Sequence, residues 1–370
     1  MIGIALALAA ATPAVRSETG DTGNFITDVG GRVAEIAVKL DQQRAGAVTV
    51  ALYPTDLQVN IFLGTAAKLK GKLAAGDYLI WRWASVTKQV VALLVMQEVE
   101  KGRVALDAPA SNYLPNVTLP GGDAVTVRRL LTHTSGLYDP NSGPAGPDGT
   151  PLTYLRSKTP APRGLDPQCL KPSGHAPGEG FVYNNCDYIV LGALLEAVAA
   201  KPFATLVRER IAKPLGLKSL RVLKPGDRDD IVAIDEKGAT DAAVDPGRYG
   251  SAANLAGTSN DLLKFDRALM GNKLLGKAAT EEMWKGDSKA GYAAFGVWSY
   301  PVKLKGCAAA QHVVERRGQV GNVQVRNLIA PERGIIVIAF TASSVPDFGE
   351  PWQGKGLTWE LLSAALCPAS

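Results

Sequence analysis

The stretch "WASVTKQVVALLVMQEVEKG", residues 83–102, constrains the fold more than any other. Read as a helix from Val86 to Glu100, it puts Val90, Val91, Leu94, Val95 and other apolar residues on most faces, and Gly102 stops it. A helix without a polar face cannot lie on a surface, so other elements must cover it on all sides. With 370 residues, 46% of them hydrophobic, the chain has the material for a core of that depth.

The flanking segments show what could do the covering. "AGAVTVALYPTDLQVNIFLGTAA" (45–67) reads as two β-rich runs around a turn-prone "YPTD", which predicts a hairpin opening the domain. From Val104 to about Thr240 the pattern is helical segments joined by loops. The longest loop, roughly 138–180, is rich in Pro and Gly, and a loop of that length serves a site or is mobile. Strand signals return at "YAAFGVWSYPVKL", "QHVVERR", "NVQVRNLIA" and "GIIVIAFTA", with a last helix at "LTWELLSAAL". Strands at both ends with helices between predict one sheet built from both chain ends and a mostly helical insertion. The sheet-bearing part is expected at about 25–90 and 250–370, the helical part at about 91–249.

Residues 1–18, within "MIGIALALAAATPAVRSETG", have the apolar stretch and small residues of a secretory signal peptide but no basic n-region. The expected mature chain is 19–370, periplasmic or secreted; retained, the same stretch would be a membrane anchor. No other segment is long enough to cross a membrane. The cysteines, Cys169, Cys186, Cys307 and Cys367, are an even number, as in exported disulfide proteins. Three pairings exist, of which Cys169–Cys186 with Cys307–Cys367 is the expected one. The net charge of +5 is scattered without a basic run, which argues against nucleic acid as a partner.

Ser85 and Lys88 stand three apart at the start of the buried helix, a spacing that lets Ser85 Oγ approach the lysine amine. A serine hydroxyl is a poor nucleophile until a base takes its proton, and a lysine can do so once burial or a nearby cation lowers its pKa. The helix start would also offer backbone N–H groups to an oxyanion. Alone the motif is weak, because a capping serine with a surface lysine has the same spelling.

Further blocks follow in order: "VTVRRLLTHTSGL" (125–137), "PGEGFVYNNCDYIVLGALLE" (177–196), "KPLGL" (213–217), "GSAANLAGTSNDLLKF" (250–265) and "AAFGVWSY" (293–300). With "WASVTK" they resemble the serine β-lactamase and penicillin-binding family, in its class C-like and esterase-like branch, over about residues 25–367. The resemblance implies an α/β (α+β) fold of the β-lactamase/transpeptidase type, with an antiparallel sheet flanked by helices. It also implies that Ser85 carries the acyl group, Tyr183 shares proton transfer with Lys88, and Asn185 holds Lys88 and the substrate. A phenolate near two cations is stabilised, so Tyr183 suits the role of base.

Relatives carry Lys-Thr-Gly or His-x-Gly as a third motif, on a strand beside the nucleophile. Here the match is Arg316-Arg317-Gly318. Gly318 would let the backbone approach, the Gln319 N–H would be the second oxyanion donor, and Arg316 would bind substrate charge and lower the Lys88 pKa. Arg317 replaces a small hydroxyl residue, which removes a hydrogen bond to a β-lactam carboxylate and adds bulk; the alternative is that both arginines are strand-edge surface charges. Arg316→Lys is expected to move preference toward carboxylate-bearing β-lactams.

Other chemistries have less support. His133 lies in a segment that is a structural turn in the resembling family, His175 and His312 are isolated, and the histidines lack metal-ligand spacing. No GxSxG occurs, and no glycine-rich loop opens a helix after a strand. No cofactor is expected. The sequence thus points to a serine acyl-hydrolase for small esters, D-amino peptides or β-lactams, taking a small-molecule or peptide substrate, with no oligomeric state specified. A non-catalytic relative that binds cell-wall peptides or a partner is the alternative.

Overall fold

The computed structural model describes residues 5–8, 25–40, 45–63, 79–147, 149–158, 165–227, 241 and 243–367. The main sheet takes strands from both chain ends: β1 (Ala5–Leu8), β2 (Gly46–Leu52) and β3 (Gln58–Leu63), then β7 (Trp298–Val302), β8 (Gln311–Val320), β9 (Val323–Ala330) and β10 (Ile335–Thr341). Their order is β1-β3-β2-β10-β9-β8-β7, with every neighbouring pair antiparallel. A three-stranded sheet, β4 (Trp81–Arg82), β6 (Leu255–Gly257) and β5 (Arg221–Val222), was not legible in the sequence because its strands are two or three residues long.

The main sheet is buried on both faces, and its central strands β2 and β10 are apolar at nearly every position. On β10, Ile336, Ile338 and Phe340 enter the core on the helical side, while Ile335, Val337 and Ala339 enter the core on the opposite face. That alternation is the two-residue period of a strand between two layers. The helices important here are α1 (Gly30–Ala37), α2 (Thr87–Glu100), α3 (Val127–Leu131), α4 (Cys186–Ala199), α5 (Ser259–Met270) and α6 (Leu357–Leu366). α1 and α6 cover one face of the sheet and pack on each other, with Arg32 donating to the carbonyls of Ala364 and Cys367.

α2 is the central helix that its composition requires. Every residue from Thr87 to Met96 is buried. Its one buried carboxylate, Glu98, is matched by Arg103 and Arg210, as a charge in that position has to be. α4 packs beside α2 and is the second apolar helix of the core.

Three expectations need correction or restatement. The β2–β3 hairpin does not open the fold, because α1 precedes it; the buried face of α1, Gly30, Val33, Ala34 and Ala37, has the helical spacing i, i+3, i+4, i+7. The strand signal from Tyr292 yields a strand only from Trp298, after a turn held by bridges from Ala293 to Asp287 and Trp298. The expected leader, 1–18, lies outside the described residues except for 5–8, which form the edge strand β1 beside β3. Both expected disulfides, Cys169–Cys186 and Cys307–Cys367, are present. Among the described residues no single helix is long and apolar enough to cross a membrane.

Candidate active site

Ser85 sits on a short 3-10 turn, Ala84–Val86, that leads directly into α2. Ala84 has φ of 47°, in the left-handed region that L-residues rarely occupy. This bend carries the chain from β4 into the helix and presents Ser85 to a cavity of about 410 Å³. Other residues lining that cavity include Tyr183, Asn185, Trp298, Arg316, Gly318 and Gln319. The cavity lies between the helical part and the β8 strand.

Lys88, one turn along, is completely buried, and its amine donates to Ser85 Oγ at 3.1 Å, to Asn185 Oδ1 at 2.8 Å and to the Ala252 carbonyl at 3.0 Å. These three acceptors satisfy an ammonium's three N–H bonds. Burial lowers the Lys88 pKa to about 8, with the Arg316 charge adding to that and Tyr183 opposing it. Tyr183 OH lies 2.7 Å from Ser85 Oγ. Burial alone would raise the phenol, but the charges of Lys88 and Arg316 and the hydrogen bonds from Lys88 and Ser85 outweigh it and leave the pKa below the usual 10.0. Ser85 therefore faces two groups, each shifted toward the form that can accept its proton.

Asn184 and Asn185 divide two tasks at the start of α4. Asn184 Oδ1 accepts the Asp187 N–H at 2.8 Å and caps the helix. Asn185 occupies the cap position without capping, which frees its side chain to accept from Lys88 and to donate to Tyr154 OH at 2.9 Å. Tyr154 stacks on Tyr249 with ring centroids 3.7 Å apart, which braces this partner from below.

Arg316 is buried, not a strand-edge surface charge. Its Nε donates to the Ser85 carbonyl at 2.9 Å and its Nη2 to Tyr183 OH at 2.9 Å, so its donors serve the site's own groups. Arg317 lines the same cavity with its charge already partnered. Its guanidinium is held by Glu315 and Glu350 and lies between the indoles of Trp298 and Trp352.

Gly318 is where the strand meets the nucleophile. A Cβ there would lie 2.6 Å from Ser85 N, so no other residue fits without moving the backbone. Gln319 lines the cavity, with its exposed side chain turned to the Gly321 carbonyl.

His133 packs its ring against Tyr183 at a centroid distance of 4.6 Å, and its Nδ1 lies 3.0 Å from Asp187 Oδ2. Burial holds the imidazole well below its usual pKa and hence neutral. It supports Tyr183 from behind. Site residues given no role from the sequence include Tyr154, Tyr249, Trp298, Arg326 and the Ala252 carbonyl. The carbonyl falls inside the quoted "GSAANLAG" block, but a backbone acceptor leaves no residue signature.

The sequence profile described as Beta-lactamase matches residues 26–354. The chain is 32% identical over 215 residues to esterase EstB of Burkholderia gladioli, covering 54% of this chain and 53% of the esterase. It is 27% identical over 213 residues to the putative penicillin-binding protein PbpX of Bacillus subtilis (strain 168), covering 56% and 51%. The chain thus spans about half the length of the curated relatives it matches. Among solved structures, D-amino acid amidase from Ochrobactrum anthropi SV3 superposes with a TM-score of 0.71 at 20% identity, covering 91% of this chain and 98% of the amidase. A penicillin-binding protein from Bacillus halodurans gives 0.67 at 21%, covering 94% and 98%. These likenesses agree on the antiparallel sheet and its helical partner. The profile match, which includes both sides of the cavity from Ser85 to Gln319, shows that the chain belongs to the Beta-lactamase family.

Proposed function

We propose that this chain is a serine acyl-hydrolase that cleaves ester or amide bonds through an acyl-enzyme on Ser85. The observation that carries this is Ser85 Oγ at 2.7 Å from Tyr183 OH and 3.1 Å from Lys88 Nζ, with both bases brought toward neutral pH by their surroundings. The Ser85 proton passes to the Lys88–Tyr183 pair as Oγ bonds to the carbonyl carbon. The same proton then goes to the leaving oxygen or nitrogen as that bond breaks. A water next gives a proton to the pair and its hydroxide to the acyl carbon, and Ser85 leaves with a proton restored. The Ser85 and Gln319 N–H groups serve as the oxyanion donors.

The preferred substrates in this reading are small esters and D-amino peptides or amides, with β-lactams turned over slowly. Supporting this, Arg316 is engaged with Ser85 and Tyr183 and Arg317 with two carboxylates, so neither is free for the carboxylate of a β-lactam. The relatives span an esterase, a D-alanyl-D-alanine-carboxypeptidase/endopeptidase and a D-amino acid amidase. The same reading places the enzyme in the periplasm or outside the cell, in keeping with two disulfides and no free cysteine among the described residues. N-terminal sequencing of exported protein tests that placement.

The decisive experiment is intact-mass spectrometry of wild type and Ser85→Ala after a fluorophosphonate probe and, separately, a penicillin. An adduct on wild type only is expected, faster with the fluorophosphonate. No adduct from either reagent would leave the non-catalytic binding protein as the reading.

A further inference from the structure

Three arginines, Arg316, Arg317 and Arg326, line the cavity, and from the sequence that wall would be strongly cationic. The structure offsets the charge of one of them, Arg317. Arg317 Nη1 donates to both carboxylate oxygens of Glu350, each at 2.6 Å, and Nη2 lies 2.9 Å from Glu315 Oε1. The guanidinium carbon is 5.3 Å from the Trp298 ring and 5.0 Å from the Trp352 ring. Glu315 is completely buried and also accepts from the Tyr300 hydroxyl. Arg326 stands directly across from Arg317 in the β8–β9 pairing, with its guanidinium 4.5 Å from the Phe348 ring.

Among the described residues, only the Arg317 guanidinium of these three meets carboxylates, Glu315 and Glu350. The carboxylates differ in kind. Glu315 is sealed in the sheet, whereas Glu350 comes from the segment between β10 and α6 and is about a third exposed, with a side-chain accessibility of 36%. Only Glu350 can be removed without emptying a buried position. Resting on the acyl-hydrolase reading, we infer that Glu350 is a specificity-determining residue: it neutralises Arg317 and holds it against the two indoles, so that the cavity does not reward a carboxylate on the substrate. Discrimination of this kind comes from denying the competitor its counter-charge. Arg317 Nη1 supplies it by engaging both oxygens of Glu350 while Nη2 faces Glu315, so the charge-assisted contacts are taken by the protein's own carboxylates.

The test compares phenyl acetate with 3-acetoxybenzoate, which adds one carboxylate to the leaving group. In Glu350→Gln the ratio of kcat/KM for 3-acetoxybenzoate to that for phenyl acetate should rise about tenfold at low salt, and the gain should shrink as salt is added. In Glu350→Gln/Arg317→Met the gain should disappear. An unchanged ratio in Glu350→Gln, including an equal loss on both substrates, overturns the inference, as does a gain that survives in the double variant. Calorimetric affinity for benzoate reads the same charge without turnover: it should tighten in Glu350→Gln, and equal affinity in wild type overturns the inference. A wild type that hydrolyses neither ester, yet gains benzoate affinity on Glu350→Gln, refutes the hydrolase reading and leaves the charge assignment standing.

Discussion

Arg316 Nη2 donates to the Tyr183 hydroxyl at 2.9 Å, and the same oxygen lies 2.7 Å from Ser85 Oγ. A permanent cation therefore touches the group that takes the serine proton. Burial, reinforced by Arg316, brings Lys88 down to about 8, and the charges of Lys88 and Arg316 bring Tyr183 below 10.0 against its own burial. The pair must give up one proton to act as base, so kcat/KM should rise with pH through a single apparent pKa near 8 or lower and level off above it. Arg316→Gln removes the cation from both groups and should move that limb up by about one unit. A limb that stays in place would remove Arg316 from the proton-transfer machinery. Because its donors serve Ser85 and Tyr183, the substitution is expected to change the base rather than substrate preference, contrary to the expectation from sequence.

Gly318→Ala should lower kcat by about 100-fold or more with little change in Tm. The new methyl would lie 2.6 Å from Ser85 N and 2.9 Å from Ala84 Cβ, and Ala84 is already at φ of 47°. Ser85 N is backbone and Ala84 Cβ is fixed directly to it, so neither can swing aside as the end of a long side chain would. Near-wild-type turnover would mean that β8 and the Ser85 turn can separate freely.

The Cys169–Cys186 bond joins the Pro167–Leu170 turn of the long loop to the first residue of α4, next to Asn185. The double variant Cys169→Ala/Cys186→Ala should lose activity by about tenfold while its far-ultraviolet circular dichroism stays that of wild type, since Asn185 loses its brace and the helix does not. Equal loss of both signals, or of neither, would show that the bond does not position the site.

Asp266 of α5 is completely buried, with Oδ1 accepting from Asn327 at 3.0 Å and from Gln89 at 3.4 Å. Burial raises its pKa from 3.8 to about 8, so it keeps its proton at neutral pH. The folded value exceeds the unfolded one, so its contribution to stability is complete below the unfolded pKa and is lost as pH rises through the folded one. Asp266→Asn keeps the shape and removes the titration. Its stability relative to wild type should improve by about 1.4 kcal/mol per pH unit between pH 5 and 8, measured by urea unfolding. Parallel stability curves for the two proteins would show that Asp266 is ionised in the fold.

The parts of the site legible in the sequence are those written in short spacings. Ser85 and Lys88 share one helical face, Tyr183 and Asn185 flank the start of α4, and Gly318 is the glycine that a close strand approach requires. The roles of the two arginines were not legible. Arg316 meets a carbonyl 231 positions earlier in the chain, and Arg317 takes a carboxylate 33 positions later from a segment without regular structure.

By itself the sequence determined the buried α2, the paired runs of the main sheet and the serine–lysine–tyrosine constellation, because each rests on local periodicity, on composition or on a motif. Tertiary structure alone decided that α1 caps the sheet with α6, that Asn185 leaves its capping role to Asn184, and that of three arginines lining the cavity Arg317 is held by two carboxylates. The reason is physical. A long charged side chain can reach several neighbours, and which of them it finds depends on segments that only packing brings together.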